Sequence, residues 1–178
     1  MSTAIVSNIT RDSWAEELER LFEKHYQLVY RTAYSLTGSA HDAEDILQTL
    51  FLRLLSREVP LDLEKGPEPY LYRAAFNLSM SVIRLRDRHV LAANVETFHR
   101  PRRARETESD EEVDTRLHRA IAKLHPSSAQ IVILRYVHNK SPTEIAGIMG
   151  TSPGTVAVSL FRSRARLKRL LQAPEGER

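Results

Sequence analysis

Five of the eight residues from Arg162 to Arg169 are basic, and duplex phosphates are the natural counterpart of such a run. Beside it, Ser152, Thr155, Val158, Phe161 and Arg162 could reach phosphates, base edges or thymine methyls in a major groove, backed by Lys168 and Arg169. A second group, Tyr70, Arg73, Phe76, Asn77, Met80, Arg84 and Arg88, interleaves cations with aromatics and one amide. Single-stranded DNA rewards that mixture, because arginines attract the backbone, rings stack on bases, and an amide can bond an extruded base. Packing of Phe76 and Met80 on a neighbouring helix accounts for the same pattern. A third group sets Leu52 and Leu55 among Glu44, Asp45 and Gln48. An apolar patch rimmed by carboxylates suits a basic partner helix, and burial on both sides of the helix is the alternative.

Nothing comparable points to catalysis or to a metal. The seven histidines (His25, His41, His89, His99, His118, His125, His138) lack ligand spacing and read as scattered surface residues, and no glycine-rich loop is present to cradle phosphate. Of Asp42, Glu44 and Asp45, only Asp42 and Asp45 approach each other on one helix. The absence of cysteine removes disulfide frameworks and thiolate zinc sites. No catalytic residue, metal or cofactor is expected.

Helical periodicity supplies the scaffold. Leu18, Leu21, Phe22, Val29, Ala33 and Leu36 define a first helix, with Ser13 and Glu16 fitting a capping box. Ser39 and Asp42 open a second helix running to about Arg57, which buries Ala43, Ile46, Leu47, Leu50 and Leu54. The proline-bearing stretch from Val59 to Pro69 reads as a loop. Pro69 then starts a third helix to about Val90, with Leu71, Ala75, Leu78, Val82 and Leu85 inward. Between Ala92 and Asp114 the pattern gives way to arginines followed by carboxylates, a composition expected of a flexible linker; a solvated helix of Arg/Glu pairs is the alternative. Helices resume from Val113 to Leu124 and from Ala129 to Val137. Ser141-Pro142 opens a short helix, Gly150 ends it, and Ser152-Pro153 caps another reaching Leu171. Ala146, Gly150 and Val156 have helix-turn-helix spacing: a small residue at the crossing, a glycine in the turn, a buried aliphatic anchor. Val156, Leu160, Ser163, Leu167, Leu170 and Leu171 share the core side.

The expected fold is all-α, with two small helical domains, 1–91 and 115–178, joined by a flexible linker over 92–114. The formal charge of +3 divides as −2, −3 and +8 over those three segments, which places the nucleic-acid module at the C-terminal end. No apolar run nears the roughly 18 residues of a membrane span, and no signal peptide is recognisable. A soluble cytoplasmic protein without direct membrane insertion is expected.

These residues resemble the extracytoplasmic-function sigma factors of bacterial RNA polymerase. The segment Asp42 to Phe51 is similar to region 2.2 of that family, Tyr70 to Leu78 to regions 2.3 and 2.4, and Leu134 to Arg162 to region 4.2. The resemblance implies that Asp42, Glu44, Asp45, Gln48, Phe51, Leu52 and Leu55 dock on the clamp coiled coil of the core polymerase largest subunit. It implies that Tyr70, Arg73, Phe76, Asn77, Arg84 and Arg88 meet the melted minus-ten element, Asn77 holding a flipped base with the 59–69 loop at the pocket's lip. Ser152, Thr155, Val158, Phe161, Arg162, Lys168 and Arg169 would read the duplex minus-thirty-five element, and an anti-sigma factor is the expected regulator. The chain departs from the pattern at Tyr70, where tryptophan is usual, and at Phe76, where a basic residue is usual. Ser81 is often acidic in the family, and Ala157 and Ser159 lack the family's usual positive charge, so a shallower salt dependence, or a compensating role for Lys168 and Arg169, is expected. The competing reading is a stand-alone helix-turn-helix regulator that binds a palindrome as a dimer.

Overall fold

The computed structural model of the 178-residue chain describes residues 11–56, 66–94 and 110–172. These form seven α-helices and no strand: α1 (Arg11–Thr37), α2 (Ala40–Leu55), α3 (Pro67–Asn94), α4 (Asp110–Ala122), α5 (Pro126–Tyr136), α6 (Pro142–Met149) and α7 (Pro153–Gln172).

The first three helices pack as one bundle. Trp14, Leu18 and Val29 of α1 meet Leu50, Phe51 and Leu54 of α2 and Leu71 and Ala75 of α3. Burying one such large side chain contributes roughly 1.5–3 kcal/mol. The Trp14 indole N–H also donates to the Leu54 carbonyl at 3.2 Å, fixing the far end of α2 against the start of α1. The α1–α2 turn depends on Gly38, whose φ of +62° is left-handed and whose added Cβ would lie 3.1 Å from the His118 ring. Ser39 caps α2 by accepting from the Asp42 N–H at 3.2 Å.

The four C-terminal helices do not form a separate body. Ile121, Leu124, Ile131, Val132, Ile133, Leu134, Ile145, Val156 and Leu160 share one continuous core with Leu36 of α1 and with Tyr72 and Phe76 of α3. Two modules are present, and they are docked on each other.

Several expected boundaries move. Ser13 lies inside α1 and not at its cap. Helix α3 starts at Pro67, so Pro67 and Pro69 both occupy its first turn, where no backbone N–H is needed for the helix, and it continues past Val90 to Asn94. Asp110 to Asp114 belong to α4 and not to a linker. Acidic residues in a first turn suit the partial positive charge of a helix N-terminus. The remainder of the expected linker and of the 59–69 loop lies outside the described residues.

Candidate nucleic-acid and partner-docking surfaces

The α6–α7 pair is built from its turn outward. Ser141 and Glu144 form a reciprocal capping box at the start of α6, which pulls the Glu144 carboxyl below its ordinary pKa through hydrogen bonding to Ser141. Gly150 ends α6 at φ +68°, and the Thr151 N–H returns to the Ala146 carbonyl at 3.0 Å. Ser152 restarts the chain by accepting from the Thr155 N–H at 3.1 Å. Ala146 is buried where the helices cross, and Val156, Leu160 and Ser163 of α7 face the core. The opposite side is open: Thr155, Arg162, Lys168 and Arg169 are exposed, and Phe161 is 74% exposed beside an exposed Val158. A large aromatic left in water next to a row of cations is a surface shaped for a ligand.

On α3, Tyr70, Arg73, Asn77, Arg84 and Arg88 are exposed, but Phe76 is not. At 1% exposure Phe76 packs in the core shared with the C-terminal module, so its expected place on a DNA-facing surface is corrected here. Tyr70, Asn77 and Ser81 line a recess of about 240 Å³ together with Leu50, Arg53, Ala74 and Leu78. An aromatic, an amide and a guanidinium around one recess are what an unstacked base would engage. Arg53 escaped the sequence reading because it lies on α2, and only the α2–α3 packing brings it there. Arg73 points elsewhere, donating to the Ile148 carbonyl of α6.

On α2, Gln48, Phe51, Leu52 and Leu55 line a groove of about 500 Å³ with Ala15, Leu18, Glu19 and Phe22 of α1. Leu52 and Leu55 are 64% and 50% exposed, and Phe51, mostly buried, makes its floor. Phe22, one of the apolar residues whose spacing defines the first helix, is 41% exposed on the rim. Its stacking on Tyr26 at the next turn, with centroids 5.9 Å apart, is the signal that a second apolar stripe runs along α1. Asp42 does not join the groove, because its carboxylate pairs with Arg86 of α3. Asp45 pairs with His41 at 3.2 Å, and Glu44 is exposed.

Two histidines expected on the surface are covered instead, His118 fully and His138 in part. His118 is 8% exposed and bonds through Nδ1 to the Ser35 carbonyl at 2.9 Å. His138 Nε2 lies 2.8 Å from Thr32 Oγ1, and its ring stands edge-on to Tyr72. Burial, aided by the charges of Arg31 and Lys140, lowers the His138 pKa to about 4, so it is neutral at pH 7. Burial likewise raises the Tyr72 hydroxyl above its ordinary pKa.

Comparison with known proteins matches both modules. Residues 21–89 match the family description "Sigma-70 region 2", and residues 114–167 match "Sigma-70, region 4". The RNA polymerase sigma factor CarQ of Myxococcus xanthus is 30% identical over 168 residues, covering 94% of this chain and 96% of CarQ. The ECF RNA polymerase sigma factor SigE of Mycolicibacterium smegmatis is 32% identical over 169 residues, covering 93% of this chain and 64% of SigE, so the chain spans a little under two thirds of that relative. In solved structures, the fold is similar to CnrH in complex with the cytosolic domain of CnrY, with a TM-score of 0.62, 21% identity, and coverage of 93% and 94% of the two chains. It is also similar to the sigma factor RpoE in complex with the anti-sigma factor NepR from Bartonella quintana, with a TM-score of 0.59, 20% identity, and coverage of 90% and 99%. Neither matched family is catalytic. Among the described residues no helix is long and apolar enough to cross a membrane. With both diagnostic regions matched in order and a full-length relative at this identity, the chain belongs to the extracytoplasmic-function sigma factors of bacterial RNA polymerase.

Proposed function

We propose that this protein brings core RNA polymerase to particular promoters and helps to hold them open, using three separate surfaces. The groove between α1 and α2 seats a helix of the clamp coiled coil of the polymerase largest subunit, with Gln48, Leu52, Leu55 and Phe22 as contacts and Glu44 and Asp45 at its acidic margin. The Tyr70, Arg53 and Asn77 recess holds a flipped base of the melted minus-ten strand, and Arg73, Arg84 and Arg88 attract its backbone. The exposed side of α7 reads the minus-thirty-five duplex through Thr155, Val158, Phe161 and Arg162, with Ser152, Lys168 and Arg169 on phosphates. The N-terminal module takes in residues 1–91 together with the end of α3 to Asn94, and the second module, expected from residue 115, takes in the whole of α4 from Asp110.

One observation carries this reading over a stand-alone duplex-binding regulator. The Asn77 recess and the α7 surface lie on different modules of one chain, and the two suit chemically different forms of DNA. A dimeric regulator needs only the second. The protein works in the bacterial cytoplasm, without a catalytic group or cofactor of its own, since phosphoryl transfer belongs to the core enzyme. An anti-sigma factor restrains it. Support comes from the two similar structures, of which RpoE is held by the anti-sigma factor NepR and CnrH by the cytosolic domain of CnrY.

The test is reconstitution. Mixed with purified core polymerase, the protein is expected to co-elute as a stable complex and to support transcripts that core alone does not make. Specific binding to duplex DNA with no effect on transcription would replace this reading with the regulator.

A further inference from the structure

The first two turns of α7, Pro153 to Leu160, carry no lysine or arginine, and the cations of the helix start at Arg162. Phosphates running beside those turns need a donor from further along. Arg164 is placed to be that donor. It lies seven positions after Ala157, two turns along the same stripe, and side chains on a helix lean toward its N-terminus. The stripe borders the open side of α7, because Phe161 and Lys168, one turn before and one turn after Arg164, are both exposed.

Arg164 is also held in place. Its Nε–H donates to the Tyr136 hydroxyl at 2.5 Å, and its guanidinium carbon lies 5.7 Å from the centre of the Tyr136 ring. Among the described residues no other cation of α7 has a side-chain partner. Tyr136 is the last residue of α5 and remains 50% exposed. The core that Val132 and Ile133 of α5 share with Val156 and Leu160 of α7 brings the two helices together. Fixing an exposed arginine costs rotamer freedom, and one solvent-facing hydrogen bond returns little stability. The arrangement makes chemical sense through the donors it leaves over. The two Nη groups have no partner among the described residues, and such a fork matches two phosphate oxygens. The Tyr136 hydroxyl, while accepting from Arg164, keeps its own proton to donate.

We propose that Tyr136 is a positioning residue for duplex binding, fixing Arg164 as a phosphate clamp beside Phe161. The inference rests on the proposed reading of α7 as the duplex-facing helix. Arg162 and Arg164, two positions apart, stand on opposite borders of the exposed side, so the groove is gripped from both. A clamp ordered before DNA arrives loses less conformational entropy on binding than a free arginine does.

The test uses the full chain and a short fluorescein-labelled duplex of mixed sequence, because a phosphate contact does not depend on base identity. Anisotropy titrations over a range of salt concentrations give both the affinity and the slope of log K against log salt. Arg164→Ala is expected to weaken binding by about tenfold and to lower that slope by about 1. Tyr136→Phe keeps every charge and loses only the hydroxyl. It is expected to weaken binding by about threefold, and to add nothing when combined with Arg164→Ala. Urea midpoints of both single variants are expected to match the parent, since both side chains are exposed. An unchanged slope in Arg164→Ala, with duplex binding retained, would overturn the clamp and leave the reading of α7 standing. No weakening by Tyr136→Phe, or the same weakening with and without Arg164, would overturn the positioning role. If the parent itself does not bind duplex DNA at low salt, the reading of α7 fails and the clamp with it. Should Tyr136→Phe shift the urea midpoint, Arg164→Lys decides, because it keeps the charge without the Nε–H. That variant is expected to show the same loss of about threefold, and full affinity in it would overturn the positioning role.

Discussion

The rings of Phe22 on α1 and Phe51 on α2 stand edge to face, their centroids 5.0 Å apart and their planes at 81°. This contact sets the width of the α1–α2 groove, because Phe51 forms its floor and Phe22 one wall. Leu52, 64% exposed on the other wall, touches water and not the core. Leu52→Arg is therefore expected to leave stability within about 0.5 kcal/mol of the parent. It is expected to weaken association with core polymerase by about tenfold or more, since a charge replaces the apolar centre of the interface. Competition titration against the unmodified protein, beside urea unfolding of each, separates the two effects.

Asn77→Ala removes the amide from the recess without touching the core, because Asn77 is exposed. Open-complex formation is expected to fall more than closed binding, and Arg53→Ala is expected to follow the same pattern. Permanganate reactivity of unpaired thymines, set against duplex retention in the same reactions, measures the difference. Equal losses in both would remove the base-holding role.

Much of the α7 surface was legible in the sequence because that helix has one dry side and one wet side, so a period near 3.6 sorts its residues cleanly. Helix α3 is different. Leu71 and Ala75 face the N-terminal bundle while Tyr72 and Phe76 face the C-terminal module, so the helix is buried on two sides. Periodicity cannot distinguish a ring that awaits a base from one already covered by protein, which is how Phe76 came to be expected on the surface. The ion pair of Asp42 was hidden for a related reason: its partner Arg86 lies 44 positions away, and only tertiary packing brings them together. The covering of His118 and, in part, of His138 was equally invisible, since Ser35 and Thr32 of α1 reach them only because the modules dock.

Docking makes stability depend on pH. His138 has a folded pKa of about 4, below the ordinary 6.5, chiefly through burial. The unfolded chain binds the proton first as pH falls, so stability is fully present above 6.5 and is lost progressively toward pH 4. The loss by pH 5 is expected to be about 2 kcal/mol. His25, also lowered mainly by burial, acts in the same direction. Urea midpoints at pH 7 and pH 5 are expected to converge in His138→Asn relative to the parent; an unchanged gap would show that His138 is not the group responsible.

Gly150 is required by its φ of +68° alone, since an added Cβ meets nothing within 4 Å. Gly150→Ala is expected to destabilise the fold by about 1–2 kcal/mol through left-handed strain, with no steric contribution. Thermal unfolding checks the magnitude, and a loss well beyond that range would mean the α6–α7 turn is packed more tightly than it is here.

Arg162 and the Lys168–Arg169 pair are all exposed on α7 but are expected to do different work. Arg162→Ala is expected to cost about 1–3 kcal/mol at a single base position, whereas Lys168→Ala weakens all duplexes alike and lowers the salt slope by about 1. Binding to a set of single-base variants over a range of salt concentrations distinguishes them.

Promoter-directed initiation is tested most directly by transcription of the organism's own genomic DNA by core polymerase, with and without this protein, followed by sequencing of the transcript starts. New starts that appear only with the protein, preceded by two shared sequence blocks, and that diminish with Asn77→Ala and with Arg162→Ala, are the predicted result. A set of starts that is the same with and without the protein, under conditions where it binds core polymerase, would contradict it.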